Sequence, residues 1–435
     1  MSMFTVLWRQ KIVWASLAAV VVIIAVLGTA MMGSVLGAKP QKLPVALVVQ
    51  DEEVAVHGGG QVAAGDMIRE KLLNSAELPL PFEWELVESE QAARDGMDEG
   101  RYYGALILPA DLSRGLMSLL GAAEPKPAAV TIIANEGLNV QGAAAVKQGL
   151  GQVMEALRQH LPKQMLGMAA KTAGAAQAEA GSGSGANGNA QNMQLSYAAA
   201  EALLTPFHLN VESVHPVGKN QASGNAPGML TQVMWIGSLV IAVMLSMGQA
   251  RARASAGSLK VNNKSGGMFA FGTVVSQALT GIVLTGAAAA FLLWVASGWY
   301  GMELQHAADI WVFLWFGGVV FFMLQSALFN WIGMPAIPIL VLLMFFSMPL
   351  LNMAPEFLSQ TTQDWLYSWI PLRFVASGMR EMMYFGGWSA VGDSKAVMWG
   401  VATVCLVLLL ASSVRRNVRL PGAQTRKDAV SVSAE

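Results

Sequence analysis

The chain has 435 residues, of which 54% are hydrophobic and only 13% charged, against roughly 25% charged residues in an ordinary soluble protein. A formal net charge of −1 excludes nucleic acid as the main partner, because phosphate binding needs a concentrated excess of Lys and Arg. The single cysteine, Cys405, lies in an apolar run; an intramolecular disulfide is excluded, and the residue reads as a small buried hydrophobe.

A helix needs about 20 predominantly apolar residues to cross the hydrocarbon layer of a bilayer. Residues 1–11, with Phe4, Leu7 and Trp8 beside Arg9 and Lys11, suit an interfacial segment or a plain flank of the first span. Residues 12–37 form that first uncharged stretch, long enough to read as a retained anchor rather than a removable signal peptide.

From residue 38 the pattern changes to short strands alternating with polar helices. Leu43 to Val49 (LPVALVV) reads as a buried strand, Ala63 to Asn74 as a helix and Trp84 to Val87 as extended. A charged helix follows over Glu90 to Met97, then a strand in Arg101 to Leu108, a helix over Asp111 to Leu120 and a strand over Val130 to Ala134. Asn139 to Ala178 predicts a long helix interrupted only by Pro162. Gly181 to Asn189 carries no core-forming side chain and reads as a flexible loop. Phe207 to Val217 returns as a strand. This alternation predicts an α/β domain with a mixed sheet over residues 38–228.

Apolar runs then resume over residues 229–414. Met229 to Met247 is one span, and Met268 to Ala296 another. Between Asp309 and Glu356 no residue is charged, which is too long for one crossing, so the run is expected to fold back at Asn330 to Pro335, where Gly and Pro punctuate helices. Ala396 to Val414 is the last, giving six spans with the first anchor. Lys and Arg gather at Arg9 and Lys11, at Arg251, Arg253, Lys260 and Lys264, and in the 415–435 tail. By the positive-inside rule both termini are cytoplasmic and residues 38–228 extracytoplasmic, in a multi-pass cell-membrane protein.

The 353–395 stretch differs from the spans. Its apolar residues are interrupted by Arg373, Arg380 and Glu381 and accompanied by Trp365 and Trp369. Two short helices at the outer leaflet are expected, with an outer loop packed on the soluble domain as the alternative.

Chemistry-bearing patterns are sparse. Gly218-Lys219-Asn220 lacks the upstream Gly and the Ser or Thr of a phosphate-binding loop, and the five histidines (His57, His160, His208, His215, His306) show no metal spacing. No catalytic, cofactor-binding or metal-ligating residue is predicted, and no cofactor is expected. Polar residues within the spans, among them Thr273, Ser276, Gln277, Gln325 and Ser326, read as glue between helices. The basic loop carrying Arg251, Arg253, Lys260 and Lys264 is either topogenic or a docking element for a cytoplasmic partner.

Four segments carry a resemblance: LPVALVVQDEE at Leu43 to Glu53, EWELVESEQAARDGMDEGRYYGALILPADLS at Glu83 to Ser113, ANEGLN at Ala134 to Asn139, and IPLRFVASGMREMMYFGG at Ile370 to Gly387. With one span, a large outer domain and then five spans, the chain resembles the membrane subunits of type-2 ABC exporters, and within them the phage infection protein (YhgE/Pip) family. Members of that family often carry a longer helical insertion than Asn139 to Ala178. The resemblance implies a permease-like subunit in membrane lipid, forming a homodimer and working with a cytoplasmic ATPase in trans. It further implies a docking role for Arg251, Arg253, Lys260 and Lys264, and outward movement of an amphipathic, lipid-like or drug substrate. The alternative is a non-transporting surface protein whose outer domain docks a phage or a secretion apparatus.

Overall fold

The computed structural model describes residues 42–56, 60–74, 80–121, 125–180, 205–258 and 265–414. Residues 1–11, the first predicted span at 12–37, the Gly181 to Asn189 loop and the 415–435 tail lie outside them. The chain divides into two compact units, one spanning Pro40–Pro216 and the other taking up at Val217.

In the first unit five strands form one mixed sheet in the order β4-β1-β5-β6-β7. β1 (Leu43–Val49) runs parallel to β4 (Phe82–Val87) and to β5 (Gly104–Leu108). β5 meets β6 (Ala128–Asn135) antiparallel, and β6 runs parallel to the edge strand β7 (Phe207–Val214). β1, an inner strand with parallel neighbours on both sides, is covered on both faces and reads as an almost unbroken apolar run, as does the fully buried inner strand β5. A small antiparallel hairpin, β2 (Val54–Val56) and β3 (Gly60–Val62), was not anticipated, because three-residue strands carry too little periodicity to read.

Helices α1 (Ala64–Leu73), α2 (Glu90–Asp98), α3 (Leu112–Gly121) and α4 (Val140–Ala180) complete the unit. The α2 residues Ala93 and Met97 pack with Ala46, Val48, Ala105, Ile107 and Ile133 in one buried cluster, while the alternate residues Val45, Leu47, Leu106 and Ile132 turn to the opposite face. One carboxylate serves two helix starts. Asp51 accepts from the backbone N–H of Gly65 (2.7 Å) and of Ser113 (2.7 Å), and the Ser113 hydroxyl both donates to it (2.6 Å) and accepts from Ala64 N–H. Those backbone donors have no partner inside their own helices, so Asp51 caps α1 and α3 together.

Strand direction also fixes where the chain enters and leaves. Val45, Gly104, Ala134 and Ser213 lie in one row across the sheet, so the start of β1 and the end of β7 lie at the same end of the strands. Three strand spacings separate them, about 14 Å.

The second unit is helical. α5 (Ala226–Ser258), α6 (Ser265–Trp294), α7 (Ala307–Ile332) and α10 (Asp393–Ala411) supply the four stretches, among the described residues, that are long and apolar enough to cross a membrane. α8 (Ala336–Asn352) is a shorter apolar helix of 17 residues, about 25 Å long against a hydrocarbon layer of about 30 Å. The double-length run folds back where expected. Gly333 takes φ 79° and Pro335 stands at the N-cap of α8, one residue ahead of the helix.

α7 is the hub. Its apolar window is 67% buried, against 28–39% for the other three, and it packs on α5, α6, α10 and on α9 (Pro371–Tyr384). Phe322 of α7 sits where a Cβ on Gly281 of α6 would be, so those two backbones approach at a distance only glycine permits.

Candidate functional site

Polar groups in the helical unit collect at three levels. At the Ile332 end of α7, the Asn330 amide donates to the Gln277 side-chain oxygen of α6 (3.2 Å) and to the Ser412 hydroxyl (3.1 Å), tying three segments together. Gln249 near the close of the apolar part of α5 donates to the Thr273 carbonyl of α6 (2.8 Å). At the second level, two turns before the close of α7, Gln325 donates to the Trp235 carbonyl of α5 (3.1 Å), which also accepts from Ser238 (2.9 Å). The Gln325 Oε1, the Ser326 hydroxyl and the Trp235 indole N–H are buried there with no hydrogen-bond partner among the described residues.

The third level is α9 with the turns before it. One face of α9 (Leu372, Val375, Ala376, Met379, Met382, Met383) is buried in the main hydrophobic cluster of the unit. Residues 373, 377, 380, 381 and 384 follow at the spacing of a second, polar face. The Arg373 guanidinium lies over the rings of Tyr367 (4.1 Å) and Phe374 (4.2 Å). Arg380 donates to the Leu351 carbonyl at the close of α8 (3.1 Å). Trp365 (76% exposed) and Trp369 (58% exposed) stand outward in the preceding turn, the Trp369 indole donating to the Trp365 carbonyl. The expected pair of short helices is thus one amphipathic helix preceded by short turns at Gln360–Thr362 and Gln363–Tyr367; the sequence is too irregular before Pro371 for a second long helix.

With this arrangement of apolar helices in view, the comparison with known proteins is decisive for the class. A family model described as ABC-2 family transporter protein matches residues 11–411. The chain belongs to the ABC-2 transporter family. No curated protein and no solved structure matches it. An ABC-2 family member is the permease-type transmembrane subunit of a transporter and not itself the ATPase. The chain is accordingly a multi-pass membrane protein.

In this ABC-2 permease the expected basic loop begins later than the sequence suggested. Arg251 and Arg253 belong to α5, whose backbone continues to Ser258; Lys260 and Lys264 lie outside the described residues. The apolar character fails at Gln249 while helix-forming residues such as Ala and Arg carry on, so loss of hydropathy marked the end of the membrane stretch and not of the helix. Among the described residues no group of three or more His, Cys, Asp and Glu is assembled.

Sequence reasoning named Gln277 and Gln325 as helix glue, and both do bridge helices. Asn330 it took only as a turn signal. Three tryptophans also escaped it: Trp311 and Trp315 of α7 donate to the carbonyls of Gly286 and Ile282 of α6, and Trp331 to that of Leu408 in α10. A tryptophan in an apolar run gives no hint of which carbonyl its N–H will reach. Thr273 bonds within its own helix, and Ser276 is exposed.

Proposed function

We propose that this ABC-2 permease exports an amphipathic, lipid-like or drug substrate as a homodimer, with a separate cytoplasmic ATPase working in trans, and that within its family it belongs to the phage infection protein (YhgE/Pip) group. The observation that carries the reading is the match over residues 11–411, which takes in both the α/β unit and the apolar helices. In this reading residues 12–37 are a first span, α8 completes a set of six, and the α/β unit stands on the extracytoplasmic side. Entry and exit at the same end of the strands support it, since an insertion about 14 Å across at its base returns the chain close to where it left. Arg251 and Arg253, carried beyond the apolar part of α5, are the contact for the ATPase.

Affinity purification of the full chain in mild detergent tests this. The reading predicts co-purification of an ATPase with a phosphate-binding loop, at least tenfold depleted when Arg251 and Arg253 are both replaced by Glu, since like charges opposed across an interface cost several kcal/mol. A monodisperse chain with no such partner, with efflux and drug tolerance unaltered by deletion, would leave the docking-protein alternative in its place.

A further inference from the structure

Arg373 has no counter-charge within ion-pair distance among the described residues, and neither has Arg380. The Arg373 Nε is buried with no acceptor, and the group is only partly exposed, its planar face covered by Tyr367 and Phe374. The hydrogen bond of Arg380 goes to a neutral carbonyl, so its charge is likewise uncompensated by that contact. With Glu381 on the same face, the three ionisable groups 373, 380 and 381 sum to a formal excess of one positive charge.

Contact with two aromatic rings removes water from the guanidinium plane and leaves its N–H edge as the part that binds. That edge matches two oxygens of a phosphate in the bidentate manner for which Arg is suited. The neighbouring exposed indoles of Trp365 and Trp369 are groups that settle at the headgroup level of a bilayer. A half-buried cation, unpaired among the described residues and with an aromatic rim beside it, fits an anion carried on an apolar body better than a freely soluble one.

We propose that the Arg373 guanidinium, lying over the rings of Tyr367 and Phe374, binds the phosphate of an anionic amphiphile such as a phospholipid, with Arg380 adding positive charge to the same helix face. The inference rests on the reading that α9 lies at the membrane–water boundary, and it holds whichever leaflet that is. The chemistry is that of a phosphate monoanion; its source is a lipid headgroup rather than free phosphate.

The test uses the full-length chain in detergent, with bound lipid counted by native mass spectrometry. Phosphatidylglycerol should be retained in preference to phosphatidylcholine, and Arg373→Gln should weaken that retention on the order of tenfold, as expected for loss of a charge-assisted hydrogen bond. Millimolar inorganic phosphate should displace little of it. A second measurement needs no variant: in hydrogen exchange on the wild-type chain, phosphatidylglycerol should protect the 360–385 stretch and phosphatidylcholine should not. Equal retention by wild type and Arg373→Gln, absence of that protection, or ready displacement by inorganic phosphate would overturn the proposal. None of these readouts involves an ATPase or transport, so failure here and failure of the export reading are separable.

Discussion

At the scale of single residues, the apolar bundle is held in register by a few polar groups whose value comes from having nowhere else to bond. Asn330 contributes two hydrogen bonds to different partners, Gln277 and Ser412. Hydrogen bonds between membrane helices contribute about 0.6 kcal/mol on average and up to about 1.7 kcal/mol. Asn330→Leu should therefore destabilise the chain by about 1 kcal/mol in SDS-induced unfolding. A double-mutant cycle with Gln277→Leu should show coupling of about 0.6 kcal/mol, and strict additivity would show the pair does not interact. The sequence displayed Asn330 only as part of a helix break, because a polar residue next to Gly333 and Pro335 satisfies turn chemistry without reference to a neighbour.

At the scale of elements, the α/β unit carries an acid-sensitive clasp on its edge strand. Arg94 of α2 binds Glu212 of β7 through two hydrogen bonds (3.0 and 2.7 Å) and also reaches Glu90. The hydrogen bonds from Arg94 hold Glu212 below its ordinary value of 4.5. Just past β7, His215 faces the buried Asn135 side chain through Nδ1 (3.1 Å) and Asp98 through Nε2 (3.2 Å). Burial pushes His215 below its ordinary value of 6.5, with Asp98 opposing. The signs agree. Between its folded value and 6.5 the unfolded His215 binds more protons than the folded one, so its contribution is complete above about pH 6.5 and is lost as pH falls through that window. The Glu212 contribution is complete above 4.5 and is lost as pH falls through its lowered folded value. Hydrogen exchange of the 205–216 stretch, corrected for the intrinsic pH dependence, should accelerate as pH falls below 6.5. His215→Gln should flatten that change, and an unchanged profile in the variant would assign the sensitivity elsewhere.

Most of these elements were legible from periodicity. Leu43 to Val49 was read with the bounds the strand has, and the polar helix from Glu90 ends within one residue of expectation. What could not be read was pairing: nothing in FHLNVESV says that β7 runs parallel to β6, or that Arg94 will reach across to it. Such contacts join residues far apart in the chain, and local pattern holds no information about them.

For the whole molecule, composition and the uncharged runs were enough to identify a membrane protein, because a charge in hydrocarbon is costly and its absence over about 18 or more residues leaves few alternatives. The fold-back at Gly333 was legible for the same reason: a run too long for one crossing must break at its Gly and Pro. The hub position of α7 was not, since a lipid-facing and a protein-facing apolar helix have the same composition. Nor did hydropathy distinguish α9, whose apolar face turns into the bundle, from a surface helix.

The proposed export role requires one chain to thread a bilayer so that the α/β unit stands on the far side from the Arg-rich end of α5. Labelling of single cysteines in intact cells tests it most directly, on a Cys405→Ser background. Gln91→Cys, on the exposed side of α2, should react with a membrane-impermeant maleimide from outside, while Ser258→Cys should react only after permeabilisation. Labelling of Ser258→Cys in intact cells with Gln91→Cys protected would contradict the arrangement and the export role built on it.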